Sequence, residues 1–269
     1  MPKASVIISF YNKLEYLKLV LAGFERQTFA DFEIIIADDG SSEKIILQLE
    51  ELLNQLPFHI THIWQEDKGF RKNKILNQAI VSSDSDFLIF IDGDCVPHPR
   101  FVEEHIKNKA EKICSTGRRV NLSEKYTNTL TPAKIKNSFI EKNFLLLVED
   151  GVWGKSFDVE KGFYFQSKML RKIFNRKKRG ILGCNFSIHK KDFIKINGFD
   201  ERYEAPSIGE DSDVQFRLEL KGTQIKSLNN VAVQYHLYHK LQERPLKNLE
   251  LFEEIKRSKI SFTPFGIKK

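Results

Sequence analysis

The sequence predicts an α/β protein, a Rossmann-like, mostly parallel sheet with flanking helices. Three observations lead there. Short apolar runs alternate with segments of helical period through residues 5–91. Each run stops at a polar or acidic turn. The chain has 269 residues, 41% hydrophobic and 29% charged, which is long enough for one large α/β domain and globular in composition.

The first strand covers 5–10. Asn12 reads as the N-cap of the next helix, with Glu15 completing a capping box. Leu14, Leu17, Leu21 and Phe24 then recur at helical spacing and should face the sheet. A second strand, 32–37, ends in Asp38-Asp39-Gly40-Ser41-Ser42. Ser42 is expected to cap a helix whose Ile45, Ile46, Leu49, Leu52, Leu53 and Leu56 form a wide apolar face. A third strand covers 58–64. The loop 65–70 and a helix over 71–81 follow, with Ile75, Leu76, Ala79 and Ile80 inward.

The fourth strand, 86–91, ends at Asp92-Gly93-Asp94. Parallel strands joined by crossover helices open their loops on one edge of the sheet. Asp39, Asp67, Asp92 and Asp94 should therefore converge on that edge, where open α/β sheets bind ligands. Gly93 allows a tight turn and a close approach of the backbone. Two hard oxygen donors at a strand end suit Mg²⁺ or Mn²⁺ completed by substrate phosphates. An ordinary acidic turn is the other reading of that tripeptide taken alone.

A helix from Arg100 leads to a strand near 113–117. Residues 120–179 should form a mobile lobe over the site rather than a separate domain. Within it 140–148 is helical and Trp153 stands between Gly151 and Gly154. The pattern resumes with a strand at 183–188 and a short helix at 192–196, stopped by Asn197-Gly198. An acidic turn, Ser207-Ile208-Gly209-Glu210-Asp211-Ser212-Asp213, opens a helix through Val214, Phe216, Leu218 and Leu220, closed by Gly222. Asp213 reads as a helix-terminal charge. A strand at 231–235 delivers His236 and His239, and 246–258 is an amphipathic helix.

Net charge is +7. The densest cluster, Lys168 to Arg179, reads either as a solvated face or as a contact with anionic lipid or a phosphate-bearing glycolipid. Nucleic acid is disfavoured as a partner, because no nucleic-acid-binding motif accompanies the charge. Cys95, Cys114 and Cys184 fit neither a disulfide framework nor a zinc site and point to a reducing compartment. No secretory segment opens the sequence, and no apolar run approaches the ~18 residues a membrane span needs.

Several segments together resemble family 2 glycosyltransferases. They are Ser5-Val6-Ile7-Ile8-Ser9-Phe10-Tyr11-Asn12, Gln27-Thr28-Phe29, and Phe32-Glu33-Ile34-Ile35-Ile36-Ala37-Asp38-Asp39-Gly40-Ser41. Asp92-Gly93-Asp94 is similar to the Asp-X-Asp motif of the family's nucleotide-sugar fold. Asn185-Phe186-Ser187-Ile188, Asn197-Gly198-Phe199-Asp200 and Gly209-Glu210-Asp211-Ser212-Asp213 are similar to the C-terminal half of galactosyltransferases and of bacterial chondroitin-type polymerases. Gln65-Glu66-Asp67-Lys68-Gly69-Phe70-Arg71 resembles those polymerases too. The likeness covers about 3–118 and 182–239. Galactosyltransferases carry Trp-Gly-Gly where this chain has Ser207-Ile208-Gly209, so the donor-sugar pocket differs.

The resemblance implies a nucleotide-sugar transferase A-type fold. Residues 1–118 would form the nucleotide-sugar half, 119–240 the acceptor and catalytic half, and 241–269 a helical tail. It implies that Ser9 and Asp39 hold the uracil of a UDP-sugar, with Asp38 supporting the turn. Asp67, Arg71, Lys74 and Asn77 would lie along the nucleotide and phosphates. Asp92, beside Gly93, would touch ribose or metal. Asp94 would ligate the metal and His236 would be the third protein ligand, with His239 in reserve. Imidazole beside carboxylate favours Mn²⁺ over Mg²⁺; a hydrogen-bonded histidine at a strand end is the structural alternative for His236. Asp211 would be the general base and Glu210 a donor-sugar contact, the two roles being exchangeable.

The implied activity is inverting, metal-dependent transfer from a UDP-sugar to a glycan or glycolipid hydroxyl in bacterial surface polysaccharide synthesis. It would take place in the cytoplasm, at the inner face of the cytoplasmic membrane. Two rival functions are a nucleotidyltransferase and a non-catalytic nucleotide- or glycan-binding protein. The first would want a Gly-rich basic loop after the first strand, which Phe10-Tyr11-Asn12-Lys13 lacks. Retention of Asp94, Asp211 and His236 argues against the second.

Overall fold

Three buried apolar strands and a partly exposed edge strand set the frame. In the computed structural model, which describes residues 1–153, 155–177, 179–205, 210–240 and 246–268, these are β1 (Ala4–Phe10), β2 (Phe32–Asp38), β3 (Ile60–Trp64) and β4 (Phe87–Asp92). Helices α1 (Leu14–Glu25), α2 (Glu43–Leu53) and α3 (Lys72–Ser82) connect them. All four strands run parallel, with Ser9 opposite both Ala37 and Asp92, and Asp38 opposite Trp64. Their C-terminal ends therefore finish on one edge.

Four short elements follow: β5 (Cys95–Pro97), α4 (Phe101–Lys107), β6 (Ile113–Thr116) and β7 (Arg118–Asn121). The lobe consists of α5 (Glu124–Thr129), α6 (Pro132–Lys136), α7 (Phe139–Lys142), α8 (Phe144–Val152) and α9 (Lys168–Phe174). The chain then returns through β8 (Asn185–His189), α10 (Lys190–Ile194), α11 (Glu210–Leu220), β9 (Gln224–Ser227), β10 (Val233–His236) and α12 (Lys247–Ser258). The main sheet has seven strands in the order β3-β2-β1-β4-β8-β6-β9, and β8 is antiparallel to both neighbours. A second sheet has the order β5-β10-β7. The acidic-turn residues Ser207, Ile208 and Gly209, with Gly154 and Lys178, lie outside the described residues.

Strand alternation divides the core. Val6, Ile8, Ile34 and Ile36 pack on the side of α1 and the small sheet, while Ile7, Ile35 and Phe90 face α3 and α11. On that second side Phe90 stacks on Phe186 at 4.4 Å between ring centroids. Ile135, Ile140 and Leu147 of the lobe are buried in the first cluster, and Glu141 pairs with Arg26 of α1 at 2.6 Å. The lobe is thus packed into the main core.

One expected cap is not formed. Asn12 adopts a left-handed conformation (φ 55°), and the first helical bonds run to the carbonyl of Lys13. The Asn12 amide oxygen instead accepts from the Ser42 N–H at 3.0 Å, and its own N–H donates to Ser41 Oγ at 2.8 Å. Asn12 therefore ties the loop after β1 to the loop after β2. Ser42 occupies the N-cap position of α2 but makes no side-chain cap bond.

Asp213 stands in the first turn of α11, where a helix-terminal charge is expected, but it points into the core. Its carboxylate is fully buried and paired with buried Arg217, whose Nη1 also donates to the carbonyls of Ile196 (2.7 Å) and Gly198 (2.9 Å). Arg217→Met should cost about 3–5 kcal/mol, because it strands a carboxylate in the core. Urea denaturation would show this as a large fall in midpoint with unchanged slope; a loss below about 1 kcal/mol would contradict it.

Candidate active site

The turn at the end of β4 begins the site. The Gly93 N–H donates to the Ser9 carbonyl at 2.8 Å, and a Cβ at this position would sit 2.9 Å from that oxygen. Only glycine lets the chain turn here against β1. Asp94 then enters β5, which pairs with β10 so that Cys95 faces His236. The Leu237 N–H donates to the Asp94 carbonyl at 2.8 Å, which fixes the two segments together.

This pairing brings three metal-binding groups together. His236 Nε2 lies 3.6 Å from Asp94 Oδ1, His239 Nε2 lies 3.3 Å from Asp94 Oδ2, and the two nitrogens are 3.2 Å apart. Burial alone would raise the Asp94 carboxyl, but the bond to His239 and the electrostatic pull of the two neighbouring imidazoles hold it well below the usual carboxylate range. Burial lowers His236 to about 4, against the pull of Asp94, so it is neutral at physiological pH. The bond with Asp94 raises His239. A carboxylate oxygen and two imidazole nitrogens are a donor set suited to Mn²⁺ and similar ions. The Cys95 thiol stands beside them, 3.5 Å from Asp94 Oδ1, but burial pushes it up and keeps it protonated.

Asp92 is not in that group. Its carboxylate accepts from Ser9 Oγ and, at 2.9 Å, from Lys72 Nζ. Lys72 Nζ is also 3.6 Å from Glu210 Oε1. Burial opposes the charge of Lys72, but Asp92, Glu210 and Asp211 together raise its pKa well above the ordinary value. Burial pushes Glu210 up to about 7; Lys72 pulls against it while Asp211 and Asp92 add repulsion. Glu210 Oε2 is buried with no hydrogen-bond partner among the described residues. Asp211 is raised by burial, against Lys72 and the Gly183 N–H that donates to its Oδ2 at 2.8 Å. A Cβ on Gly183 would lie 2.2 Å from Asp211 Oδ1, so that glycine makes room for the carboxylate. Both acids sit in the first turn of α11, where the helix dipole favours negative charge.

On the other side of β1, Asp39 accepts from Gln65 Nε2 and, at 2.8 Å, from the Arg71 N–H, and burial raises its carboxyl. Asp38 is fully buried and accepts from the Ser41 N–H at 2.8 Å, with His62 Nε2 3.0 Å from its second oxygen. Asp67 accepts from Tyr11 Oη at 2.9 Å and from the Gly69 N–H at 3.1 Å. The loops after β1, β2 and β3 thus form one continuous rim.

One sequence-derived position lies elsewhere. Asn77 is buried on α3, its amide bonded to the Phe199 carbonyl (2.9 Å) and accepting from the Phe199 N–H (2.9 Å). It holds the 197–200 turn and does not reach the rim. Lys74 lines a cavity of about 440 Å³ with Arg71, Glu201, Arg202 and Phe265. Ser9 contacts Asp92 and not Asp39. Lys72, central in the structure, escaped the sequence reading. Helical phase could have found it, since it precedes the inward Ile75 and Leu76 by three and four positions.

The model for "Glycosyl transferase family 2" matches residues 5–174, and that for "N-terminal domain of galactosyltransferase" matches 167–240. A chondroitin synthase of Escherichia coli is 27% identical over 260 residues, 91% of this chain and 35% of that protein. A hyaluronan synthase of Pasteurella multocida is 25% identical, over 93% of this chain and 25% of that protein. The chain therefore spans about a third or less of the length of these two relatives. A crystal structure of GalNAc-T7 with UDP, GalNAc and Mn²⁺ superposes with a TM-score of 0.65 at 14% identity, covering 95% of this chain and 48% of that one. That likeness supports the A-type nucleotide-sugar transferase fold.

Proposed function

Because the chain belongs to glycosyl transferase family 2, we propose that it transfers a hexose or N-acetylhexosamine from a UDP-sugar to a hydroxyl of a glycan or glycolipid, with inversion and with a divalent metal, in bacterial surface polysaccharide synthesis. The observation that carries this is the meeting of Asp94, His236 and His239 at the sheet edge, across from Lys72, Glu210 and Asp211. The GalNAc-T7 structure holds UDP and Mn²⁺ on the same fold, which supports the same classes of donor and metal here. Asp94, His236 and His239 would hold the ion, which supplies Lewis-acid neutralisation of the leaving diphosphate.

The remaining steps belong to the chain's own residues. Asp39, Gln65 and Tyr11 line the rim where the base and ribose would lie. Lys72 holds Asp92 and Glu210 in place, and Glu210 contacts the donor sugar. Asp211, fixed by the Gly183 N–H, takes the acceptor's proton as the hydroxyl attacks the anomeric carbon. With one base and no second carboxylate as nucleophile, the outcome is single displacement and inversion. Thermal unfolding tests the reading: UDP should raise the midpoint only with Mn²⁺ present. Stabilisation by UDP in excess chelator as great as in Mn²⁺ would contradict it.

The basic run supports a location at the inner face of the cytoplasmic membrane, in modified form. Arg171 is unavailable, because it makes two 2.7 Å bonds to buried Glu104. The outward face of α9 instead presents Lys168, Met169, Lys172 and Ile173, all exposed, followed by exposed Arg176 and Lys177. Basic and apolar groups on one surface suit an anionic bilayer, each charge adding about 1 kcal/mol. Phosphatidylglycerol vesicles should retain the protein at low salt and release it as salt rises, and Lys168→Glu with Lys172→Glu should weaken retention. Retention that is insensitive to salt would rule out an electrostatic contact. No helix among the described residues is long and apolar enough to cross a membrane.

A further inference from the structure

We infer that Phe157 is the platform on which the acceptor's sugar ring stacks, an assignment that rests on the transferase reading above. The small sheet carries the argument. Val96, Tyr235 and Val120 of its three strands are buried in the core. Alternation turns His236 and Asn121, together with Cys95, which is itself buried, to the opposite face, the one holding the imidazole beside Asp94. Asn121 also forms an antiparallel bridge with Phe157, exchanging N–H···O bonds of 2.9 and 2.8 Å. Bridged residues project to the same face. Cys95, His236, Asn121 and Phe157 thus form one row, and two strand spacings, about 10 Å, separate His236 from Phe157.

Phe157 is 62% exposed, yet its backbone is fixed on both sides. Ser156 Oγ accepts from the Ser123 N–H at 2.9 Å and donates to Asp150. Asp158 takes the left-handed conformation (φ 61°), and its carboxylate accepts from Asn121 Nδ2 at 3.2 Å. A non-glycine residue in this conformation carries some strain, which the surrounding bonds hold in place. The exposed ring is therefore presented by a fixed backbone. Its electron-rich face suits the C–H face of a pyranose, and Asn121 and Asp158 flank it with groups that can meet hydroxyls.

The test separates acceptor from donor. Wild type, Phe157→Ala and Phe157→Tyr are compared for Mn²⁺-dependent hydrolysis of UDP-sugars and for transfer to, and binding of, hyaluronan, chondroitin and maltose tetrasaccharides. Phe157→Ala should raise the acceptor KM about tenfold, the scale of one lost ring contact. Donor hydrolysis should stay unchanged, and Phe157→Tyr should restore the KM. A KM for Phe157→Ala within twofold of wild type overturns the assignment. So does failure of the wild type to bind any of the three tetrasaccharides with UDP and Mn²⁺ present. Absence of Mn²⁺-dependent donor hydrolysis in the wild type overturns instead the transferase reading beneath it.

Discussion

Asp94→Asn is expected to lower turnover by roughly 10³-fold or more, since a Lewis acid contributes several kcal/mol at the transition state and each ~1.4 kcal/mol is tenfold in rate. The variant keeps the shape of the side chain but loses the charge that both imidazoles face. The fold should survive, because this carboxylate lies at the site and not among the buried apolar residues of the core. His236→Ala and His239→Ala test the two nitrogen donors separately, and each should raise the Mn²⁺ concentration needed for half-activity. A normal Mn²⁺ requirement in His239→Ala would reduce the ligand set to Asp94 and His236.

Asp211→Asn should lower kcat by about 10²-fold or more, the usual scale for a positioned base, with UDP affinity unchanged. Glu210→Gln should act differently. Glu210 takes up its proton at about pH 7. Below that pH it is neutral and loses its charge attraction to Lys72; above it the pair is intact. The kcat/KM of the wild type should therefore rise with pH through this region, and Glu210→Gln should flatten the rise. If Asp211→Asn keeps wild-type turnover while Glu210→Gln does not, the two roles are exchanged.

The parallel half of the fold was legible because β1, β2 and β4 are buried on both faces and read as plain apolar runs. Convergence of the loops followed from that topology, which is why Asp39, Asp67, Asp92 and Asp94 could be assigned to one edge across 55 positions. The small strands were not legible. Arg118-Arg119-Val120-Asn121 and Gln224-Ile225-Lys226-Ser227 have four residues each and one clear apolar position apiece. Their pairing is set by distant partners and not by local pattern. The three-stranded sheet that holds Arg118–Asn121 supplies the register joining His236 to Asn121, and an isolated bridge adds Phe157, so that row was invisible in the sequence.

Individual side chains failed for a related reason. Asn77 was taken from the resemblance, which fixes positions along the chain but not their direction around α3. Asn77 faces the 197–200 turn, whereas Lys72 faces the carboxylates. Asn12 has the composition of a cap, yet the neighbouring loop offers it Ser41 and Ser42, and those contacts outcompete the local capping pattern. Asp213 reads as a helix-terminal charge, and its burial was not legible because it depends on Arg217, one helical turn on, entering the core with it.

Release of UDP reports metal-dependent cleavage of a UDP-sugar at the Asp94 site. The wild-type chain is mixed with UDP-glucose, UDP-galactose, UDP-glucuronic acid, UDP-N-acetylglucosamine and UDP-N-acetylgalactosamine in turn, with Mn²⁺ or with excess chelator. UDP should be released from at least one donor in Mn²⁺, and that release should be lost in chelator and in Asp94→Asn. Release that persists undiminished in chelator or in Asp94→Asn, or no release from any donor in Mn²⁺, would contradict it.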